Sequence, residues 1–306
     1  MSQSLRAGVI GLGVFGGFHA AKYASLEGVR LAGIYDHNPA HAAAASERLG
    51  VPAFPSEAAL IAEVDLVSVA TPAVAHADAA LKALRAGKPV YVEKPLAARR
   101  ADAELIVAEA DRRGLVVACG FLERAGFAAM GLFDIPERPL RLEAVRVGPP
   151  SPRNLDVSVV LDLMIHDLDL ALALGAGERG ALSVTGSGGG RGLDEADAVV
   201  EFENGFVCRF RASRNAADRE RTMRIVYPSG AVTIDFLVHR FENTTPFALD
   251  PEFESTPAGR DRLGVSIGAF VAAVRGEGPA PLASAREGAA ALDLALAVEE
   301  AAAVRT

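Results

Sequence analysis

The sequence lacks the features that mark membrane-spanning, secreted and nucleic-acid-binding proteins. Its 306 residues contain no apolar run near the ~20 residues that a membrane span needs. No long apolar stretch precedes the first glycine motif, as a signal peptide would require. The net charge is −8 without any block of like charge, which argues against a general nucleic-acid binder. We therefore expect a cytoplasmic protein that binds neither membranes nor nucleic acids.

Cysteine is scarce as well. The two cysteines, Cys119 and Cys208, both lie in apolar runs that are typical of strands. We interpret them as buried thiols in a reducing compartment. No cysteine and histidine residues have the spacing of metal ligands, so the sequence predicts no metal site.

The chain divides by pattern into two parts. Residues 6–120 alternate short apolar runs with alanine-rich amphipathic stretches, which predicts a parallel sheet covered by helices on both faces. Beyond residue 120, strand-like runs are separated by the turn pairs Asn204-Gly205 and Ser229-Gly230, which predicts an antiparallel sheet. A helix is expected over about 162–174, a flexible loop at Gly186–Gly192, and a helix over about 284–303.

The second sheet also suggests self-association. Strands within 198–211 and 223–236 carry more apolar residues than one helix layer is expected to cover. Large exposed apolar sheets are usually interfaces. We therefore predict a homodimer or homotetramer.

A glycine motif begins the chain's first helix. Gly11-Leu12-Gly13-Val14-Phe15-Gly16 follows a predicted strand, and this context is the one that dinucleotide binding requires. Gly11 permits the tight turn, Gly13 lets the backbone approach a pyrophosphate, and Gly16 allows close packing of helix on strand. The free amides and dipole of the helix N-terminus favour phosphate there. All five residues Gly11, Gly13, Val14, Phe15 and Gly16 are predicted to contact the cofactor.

Asp36 predicts which cofactor binds. It ends the second strand, twenty residues after Gly16, where a carboxylate accepts hydrogen bonds from ribose hydroxyls and repels a 2′-phosphate. His37 follows it instead of an arginine. The sequence therefore predicts NAD and disfavours NADP.

Three further motifs carry a family resemblance: Thr71-Pro72 with His76, then Val90-Tyr91-Val92-Glu93-Lys94-Pro95, then Asp162-x-x-x-His166. In this order they resemble the Gfo/Idh/MocA oxidoreductase family. The resemblance implies an α/β protein with an N-terminal Rossmann domain (1–120) that binds the dinucleotide. It also implies a C-terminal α/β domain (121–306), with a large open, mainly antiparallel sheet, for substrate binding and oligomerisation.

The family resemblance also implies residue roles. Lys94, Asp162 and His166 correspond to catalytic positions, and Thr71, His76 and Glu93 to positions near the cofactor. Ala73 stands where many members carry Asn after Thr-Pro, so one polar contact near the nicotinamide is in doubt.

A narrower resemblance concerns the substrate. The segment from Leu155 to Asp169, and Gly120-Phe121-Leu122-Glu123-Arg124, are similar to the UDP-N-acetylglucosamine 3-dehydrogenase branch, although Phe121 replaces that branch's His. This resemblance implies oxidation at C3 of the sugar, giving a 3-keto precursor for lipid A or polysaccharide.

Chemistry supports the same residues. Asp162 and His166 stand four apart, so a helix presents them on one face. There the carboxylate orients an imidazole that takes a hydroxyl proton. Lys94 follows a parallel strand's carboxyl end, where its ammonium can hold the substrate oxygen. Either His166 or Lys94 is the general base. Asp167 and Asp169 fall on other faces and are expected to be solvated or to cap neighbours, and the alternative for Asp169 is a hydrogen bond with His166 from one turn later.

Arginines are candidates to meet a diphosphate. Arg124 is the first choice for substrate binding, ahead of Arg153, Arg211 and Arg214. Two other functions stay open: a dehydrogenase of a free sugar, inositol or dihydrodiol, and a non-catalytic dinucleotide-binding regulator. Retention of Lys94, Asp162 and His166 argues against the regulator.

Overall fold

The computed structural model describes residues 4–150, 157–189, 192–278 and 280–303. The chain forms two compact units. The first comprises residues 1–125 and 261–289, and the second residues 126–260 and 290–306. Within the described ranges, no helix is both long and apolar enough to cross a membrane.

The first unit contains a parallel sheet. Its strands are β1 (Leu5–Ile10), β2 (Val29–Tyr35), β3 (Leu66–Val69), β4 (Val90–Val92) and β5 (Val117–Cys119), in the order β2-β1-β3-β4-β5. A single parallel bridge joins Ala53 to Ile34 at the β2 edge. Ala53 thus occupies the place of one further strand, which restores the six-position order of a Rossmann sheet.

Helices follow the strands of this sheet. They are α1 (Val14–Ser25), α2 (Pro39–Leu49), α3 (Glu57–Glu63), α4 (Ala73–Arg85) and α5 (Arg100–Arg113). The side chain of Asn38 accepts a hydrogen bond from the Ala40 amide at the start of α2, which ends at Gly50 with positive φ. An Asn cap, Pro at the first turn and Gly at the end are helix signals that can be recognised in the sequence.

The second unit is built on a seven-stranded sheet. Its helices are α6 (Glu123–Met130, which begins in the first unit), α7 (Ile165–Ala173) and α8 (Pro257–Arg260). Its strands are β6 (Arg141–Val147), β7 (Arg179–Gly189), β8 (Gly192–Phe202), β9 (Val207–Ser213), β10 (Glu220–Tyr227), β11 (Gly230–Asp235) and β12 (Arg240–Asn243). The order is β12-β11-β10-β6-β9-β8-β7. The central pair β6–β9 is parallel and the other neighbours are antiparallel. The α/β fold and the mainly antiparallel second sheet are as predicted.

A late segment of the chain returns to the first unit. It contains α9 (Arg262–Arg275), whose Leu263, Ile267 and Phe270 are buried in the same core cluster as β1 and β2. α10 (Ala285–Ala303) follows and continues into the second unit. The domain boundary expected from the sequence, at residue 120, leaves this returning segment out of the first domain. The sequence of an amphipathic helix does not reveal which sheet the helix covers.

The flexible loop predicted at Gly186–Gly192 is wrong for the residues that the structure describes. β7 continues to Gly189 and β8 begins at Gly192, with Gly188 paired with Leu193. A Cβ on Gly188 would stand 2.2 Å from the Gly192 carbonyl oxygen. These glycines therefore serve a close approach of two strands. Residues 190 and 191 lie outside the described part.

The apolar sheet face expected from 198–211 is also wrong. Alternate residues of β8 and β9 point inward, so Ala198, Val200 and Phe210 are buried. The positions between them include Asp197 and Arg209, which are exposed. Because side chains alternate strictly along a strand, the apolar ones point to the inner face of the sheet. The outer face is largely charged. Self-association stays a prediction.

Candidate functional site

The glycine loop has the geometry that a pyrophosphate needs. Gly11 adopts φ +88°, and a Cβ on Gly16 would lie 1.8 Å from the Gly11 carbonyl oxygen. A Cβ on Gly13 would meet nothing within 4 Å, so the space beside it is open. No described side chain caps the N-terminus of α1 at Gly13. The first amides of α1 are therefore available for an anion. Val14 and Phe15 are 62% and 50% exposed at this end of the helix.

The Asp36 carboxylate lies against this loop. Its Oδ2 accepts a hydrogen bond from the Leu12 amide at 2.6 Å, and its Oδ1 accepts one from the Asn38 amide at 2.8 Å. The side chain is only 6% exposed, and His37 Nδ1 lies 3.3 Å from Oδ1. A carboxylate has about four acceptor positions. Two are used here, which leaves acceptor capacity for ribose hydroxyls.

Thr71 follows β3, the strand beside β1. Its Oγ1 is buried and has no hydrogen-bond partner among the described residues. Buried hydroxyls are normally paired, so this atom is suited to a ligand. The unpartnered Thr71 hydroxyl, the open space beside Gly13 and the position of the Asp36 carboxylate together fit a bound dinucleotide.

His76 braces the same edge of the sheet. Nδ1 lies 2.7 Å from the Pro95 carbonyl oxygen, and Nε2 lies 2.8 Å from the Thr71 carbonyl oxygen. Burial lowers the pKa of His76, and the two carbonyls act in the opposite direction. The imidazole thus links the segments after β3 and β4, and its ring nitrogens face backbone.

Glu93 ends a buried chain of hydrogen bonds. Its Oε1 lies 2.9 Å from His19 Nε2, and His19 Nδ1 lies 3.1 Å from Ser68 Oγ. The Tyr23 hydroxyl lies 2.8 Å from the same Oγ. Every donor has one acceptor when Tyr23 donates to Ser68, Ser68 to His19, and His19 to Glu93. Burial raises the pKa of Tyr23, which keeps this hydroxyl a donor.

Lys94 comes directly after Glu93 at the carboxyl end of β4 and is partly exposed. On one side Glu93 is fixed by His19, and on the other Pro95 is fixed by His76. The ammonium therefore extends from a rigid support at the edge where ligands of parallel sheets bind.

Asp162 and His166 lie in the second unit, and both are partly exposed. The predicted helix exists, but its beginning differs from the expectation. Val160–Met164 forms a π-helical turn that contains Asp162, and α7 with His166 follows it directly. π-turns inside helices are rare and occur frequently at functional sites. Residues 151–156, with Arg153 and the start of the Leu155–Asp169 motif, lie outside the described residues.

The expectation that Asp167 and Asp169 are solvated is wrong. They are 2% and 1% exposed. Asp167 accepts two hydrogen bonds from Arg146, at 2.8 and 3.0 Å. Arg146 is itself 3% exposed, and its guanidinium lies 5.5 Å from the centre of the Phe236 ring. Arg146 occupies an inward position of β6, so a charged partner was needed there.

The arginines proposed for a diphosphate have other partners in the structure. Arg124 is 5% exposed and donates to the Leu282 carbonyl at 2.9 Å and to the Glu287 carboxylate. Arg214 donates to the Val157 carbonyl at 2.8 Å. Arg211 is exposed on the outer sheet face, 4.0 Å from Asp197. These contacts fit a role for Arg124 in attaching the 282–287 segment, and its substrate role stays a prediction.

Sequence reasoning missed His19 and Arg146. Each had a signal. His19 is a polar residue on a face of α1 that also carries the buried Ala20 and Tyr23. Arg146 shares an alternation with Leu142 and Ala144, so it points into the core. Neither signal names a partner, because Glu93 and Asp167 are distant in sequence.

Comparisons with known proteins identify the family of the chain. An oxidoreductase family model with an NAD-binding Rossmann fold matches residues 5–121, and the Gfo/Idh/MocA C-terminal domain model matches residues 147–233. UDP-N-acetylglucosamine 3-dehydrogenase from Acidithiobacillus ferrooxidans is 37% identical over 96% of this chain and 97% of its own. A solved structure of that enzyme has a TM-score of 0.90 and covers 100% of both chains.

Two more distant proteins also match the chain, one by sequence and one by structure. Scyllo-inositol 2-dehydrogenase (NAD(+)) from Bacillus subtilis is 25% identical over 83% of this chain and 82% of its own. The WlbA dehydrogenase from Bordetella pertussis, solved with NADH and UDP-GlcNAcA, has a TM-score of 0.87, with 100% of this chain and 97% of that chain covered. At 20% identity, WlbA shows the fold alone. On both family models and the full-length relative, the chain belongs to the Gfo/Idh/MocA family of oxidoreductases and carries an NAD-binding Rossmann domain.

Proposed function

We propose that this oxidoreductase oxidises a ring hydroxyl of a nucleotide sugar with NAD, at C3 of UDP-N-acetylglucosamine. The observation that carries the proposal is the 37% identity to a UDP-N-acetylglucosamine 3-dehydrogenase, which extends over nearly the whole of both chains. The product would be a 3-keto sugar suited to later amination for lipid A or polysaccharide.

Each catalytic residue has a role in this proposal. Bound NAD supplies the hydride acceptor. Lys94 holds the substrate oxygen and stabilises its developing negative charge. His166 or Lys94 takes the hydroxyl proton, and Asp162 orients the imidazole and stabilises its protonated form. Thr71 hydrogen-bonds the cofactor through its hydroxyl, which has no partner among the described residues. Asp36 accepts hydrogen bonds from the ribose at its remaining acceptor positions.

The division of labour between the domains belongs to the same proposal. Residues 1–120 bind the dinucleotide, and residues 121–306 bind substrate and form the oligomer. A cytoplasmic location and a homodimer or homotetramer remain predictions. Light scattering at micromolar concentration tests the assembly, and a monomer would contradict it.

An inositol is the second candidate substrate. The 25% identity to scyllo-inositol 2-dehydrogenase over 83% of this chain favours it. The two candidates differ in one chemical feature, since only the nucleotide sugar carries a diphosphate and a base.

A turnover assay decides between them. The purified protein is incubated with NAD and either UDP-N-acetylglucosamine, free N-acetylglucosamine or scyllo-inositol, and NADH absorbance is followed. We expect turnover with the nucleotide sugar alone, and a Lys94→Ala sample reports any contaminating dehydrogenase. Turnover with scyllo-inositol but not with UDP-N-acetylglucosamine would replace the proposal by the second candidate.

A further inference from the structure

The π-turn before α7 is held at its N-terminal side by Ser158. The Ser158 hydroxyl donates to the Glu299 carboxylate of α10, and its oxygen accepts a long bond of 3.4 Å from the Leu161 amide. The Ser158 carbonyl accepts the Asp162 amide at 3.0 Å. We call the Ser158–Glu299 pair the N-terminal anchor.

Two neighbouring contacts restrict the same point. A Cβ on Gly192 would lie 3.0 Å from the Ser158 Cβ, so β8 begins directly against it. Arg214 donates to the carbonyl of Val157, the residue before Ser158. The backbone that enters the π-turn is therefore fixed from three elements.

On the C-terminal side, the buried Arg146–Asp167 pair holds the first turn of α7. We call it the C-terminal anchor. Replacing a buried ion pair by apolar residues of similar size is often neutral or stabilising, so stability alone does not account for this pair. Its two parallel bonds do fix an orientation, because a guanidinium and a carboxylate meet in one planar arrangement.

The position of the π-turn matters because Asp162 lies within it and His166 follows it. An α-turn closes its hydrogen bonds between residues four apart, and a π-turn between residues five apart. Moving the wide turn by one residue would rotate Asp162 relative to His166. The direction in which the Asp162 side chain points relative to His166 therefore depends on where the wide turn lies.

From these contacts we infer that the N-terminal and C-terminal anchors fix the π-turn in place, so that Arg146, Asp167, Ser158 and Glu299 act as positioning residues for Asp162 and His166. The inference rests on the proposed function for the roles of Asp162 and His166. The anchors themselves are contacts of the second unit and are testable without a substrate.

The test uses two variants of the full chain. Arg146→Met/Asp167→Leu removes both charges of the C-terminal anchor without leaving one of them buried alone, and Ser158→Ala removes the N-terminal anchor with little change in volume. Ile225→Val is the matched control, since Ile225 is buried in β10 on the same sheet. Hydrogen exchange of amides 159–167 is measured with and without NAD, together with kcat and the KM for NAD.

We expect amides 159–167 to exchange at least tenfold faster in both anchor variants and at the wild-type rate in Ile225→Val. We expect kcat to fall roughly 10- to 100-fold, as when catalytic groups are displaced by about 1 Å, with the KM for NAD unchanged. Wild-type exchange in both variants would overturn the inference, and so would a lower kcat with unchanged exchange. If one variant does not fold, the other gives the same readouts.

The outcomes separate this inference from the proposed function. If the wild type turns over no nucleotide sugar but amides 159–167 still exchange faster in the anchor variants, the role of the anchors is supported and the proposed substrate is wrong. If the wild type turns over the nucleotide sugar, and both anchor variants show wild-type turnover and wild-type amide exchange, the proposed substrate is supported and the inference about the anchors is wrong.

Discussion

The two units place their functional polar groups by different means. In the first unit the candidate cofactor residues lie at strand ends and in a glycine loop, and backbone amides hold the one buried carboxylate among them that faces the loop, as Leu12 and Asn38 do for Asp36. In the second unit the candidate acid–base pair lies on a helix whose setting depends on buried side-chain pairs such as Arg146–Asp167. A backbone amide donates whichever side chain its residue carries, whereas a side-chain pair needs two particular residues, and neither residue alone reveals its partner.

The largest expected effect tests whether both units supply catalytic groups. Lys94→Ala and His166→Ala should each lower kcat by roughly 10²–10⁴-fold, the usual scale for acid–base catalysis. The KM for NAD should change little, because the pyrophosphate and ribose contacts are elsewhere. Steady-state kinetics with the best substrate from the turnover assay measure both.

A double variant makes this test sharper. Lys94→Ala/His166→Ala should lose little more than either single variant if the two groups act as a unit. Asp162→Asn should lower kcat less than His166→Ala, since the role proposed for Asp162 is to orient the imidazole. A single variant with wild-type kcat would remove that residue from the catalytic group.

A middle-sized effect is expected at Asp36. Asp36→Ala should weaken NAD binding by roughly 10- to 100-fold, since a hydrogen bond to a charged group contributes about 1.5–3 kcal/mol. NADP should gain relative to NAD because the repulsion of its 2′-phosphate is removed. Isothermal titration with both cofactors measures the ratio, and Asp36→Asn removes the charge while its one amide oxygen can keep one of the two bonds from the Leu12 and Asn38 amides. Tighter NADP binding by the wild type would contradict the assignment of Asp36.

The features that could be predicted from the sequence lie mainly in the first unit, and the features that could not lie mainly in the second. Pro39 and Gly50 lie at the two ends of α2, as local helix signals require, and Gly11, Gly13 and Gly16 surround a cradle with the expected open side. These signals act within a few residues. By contrast, β6 escaped prediction because Arg146 breaks its apolar alternation, and the compensating Asp167 is 21 residues away. The π-turn escaped too, since its residues also suit an α-helix.

A smaller effect compares one buried tyrosine from each unit. Tyr23→Phe removes the donor that begins the hydrogen-bond chain to Glu93, which should cost about 0.5–1.5 kcal/mol and lower the Tm by a few degrees. Tyr227→Phe is the matched control, because the buried Tyr227 hydroxyl has no hydrogen-bond partner among the described residues. Its removal should leave the Tm unchanged or raise it. Equal losses from both variants would show that the chain to Glu93 adds nothing beyond packing.

The smallest effect is a difference in pH response between the units. In the first unit, the hydrogen bond from Arg6 lowers the pKa of Asp65. Burial by itself would raise the pKa of Glu287, but bonds from Ser284 and Arg124 lower it. In the second unit, burial raises the pKa of Glu299 despite its bond from Ser158. The pKa of Glu299 is therefore shifted in the opposite direction to the pKa values of Asp65 and Glu287.

The signs follow from linkage. A lowered pKa gives stability that is present above the unfolded value, about 3.9 for Asp and 4.3 for Glu, and is lost as pH falls through the folded value. A raised pKa gives stability that is present below the unfolded value and is lost as pH rises through the folded value. Acidification from pH 7 toward 4.5 should therefore protect the amides near Ser158, and further acidification should expose those near Asp65. Hydrogen exchange corrected for intrinsic rates measures both, and Glu299→Gln should abolish the first change while leaving the second. Protection near Ser158 that falls steadily from pH 7 would contradict the raised pKa of Glu299 and remove this contrast between the units.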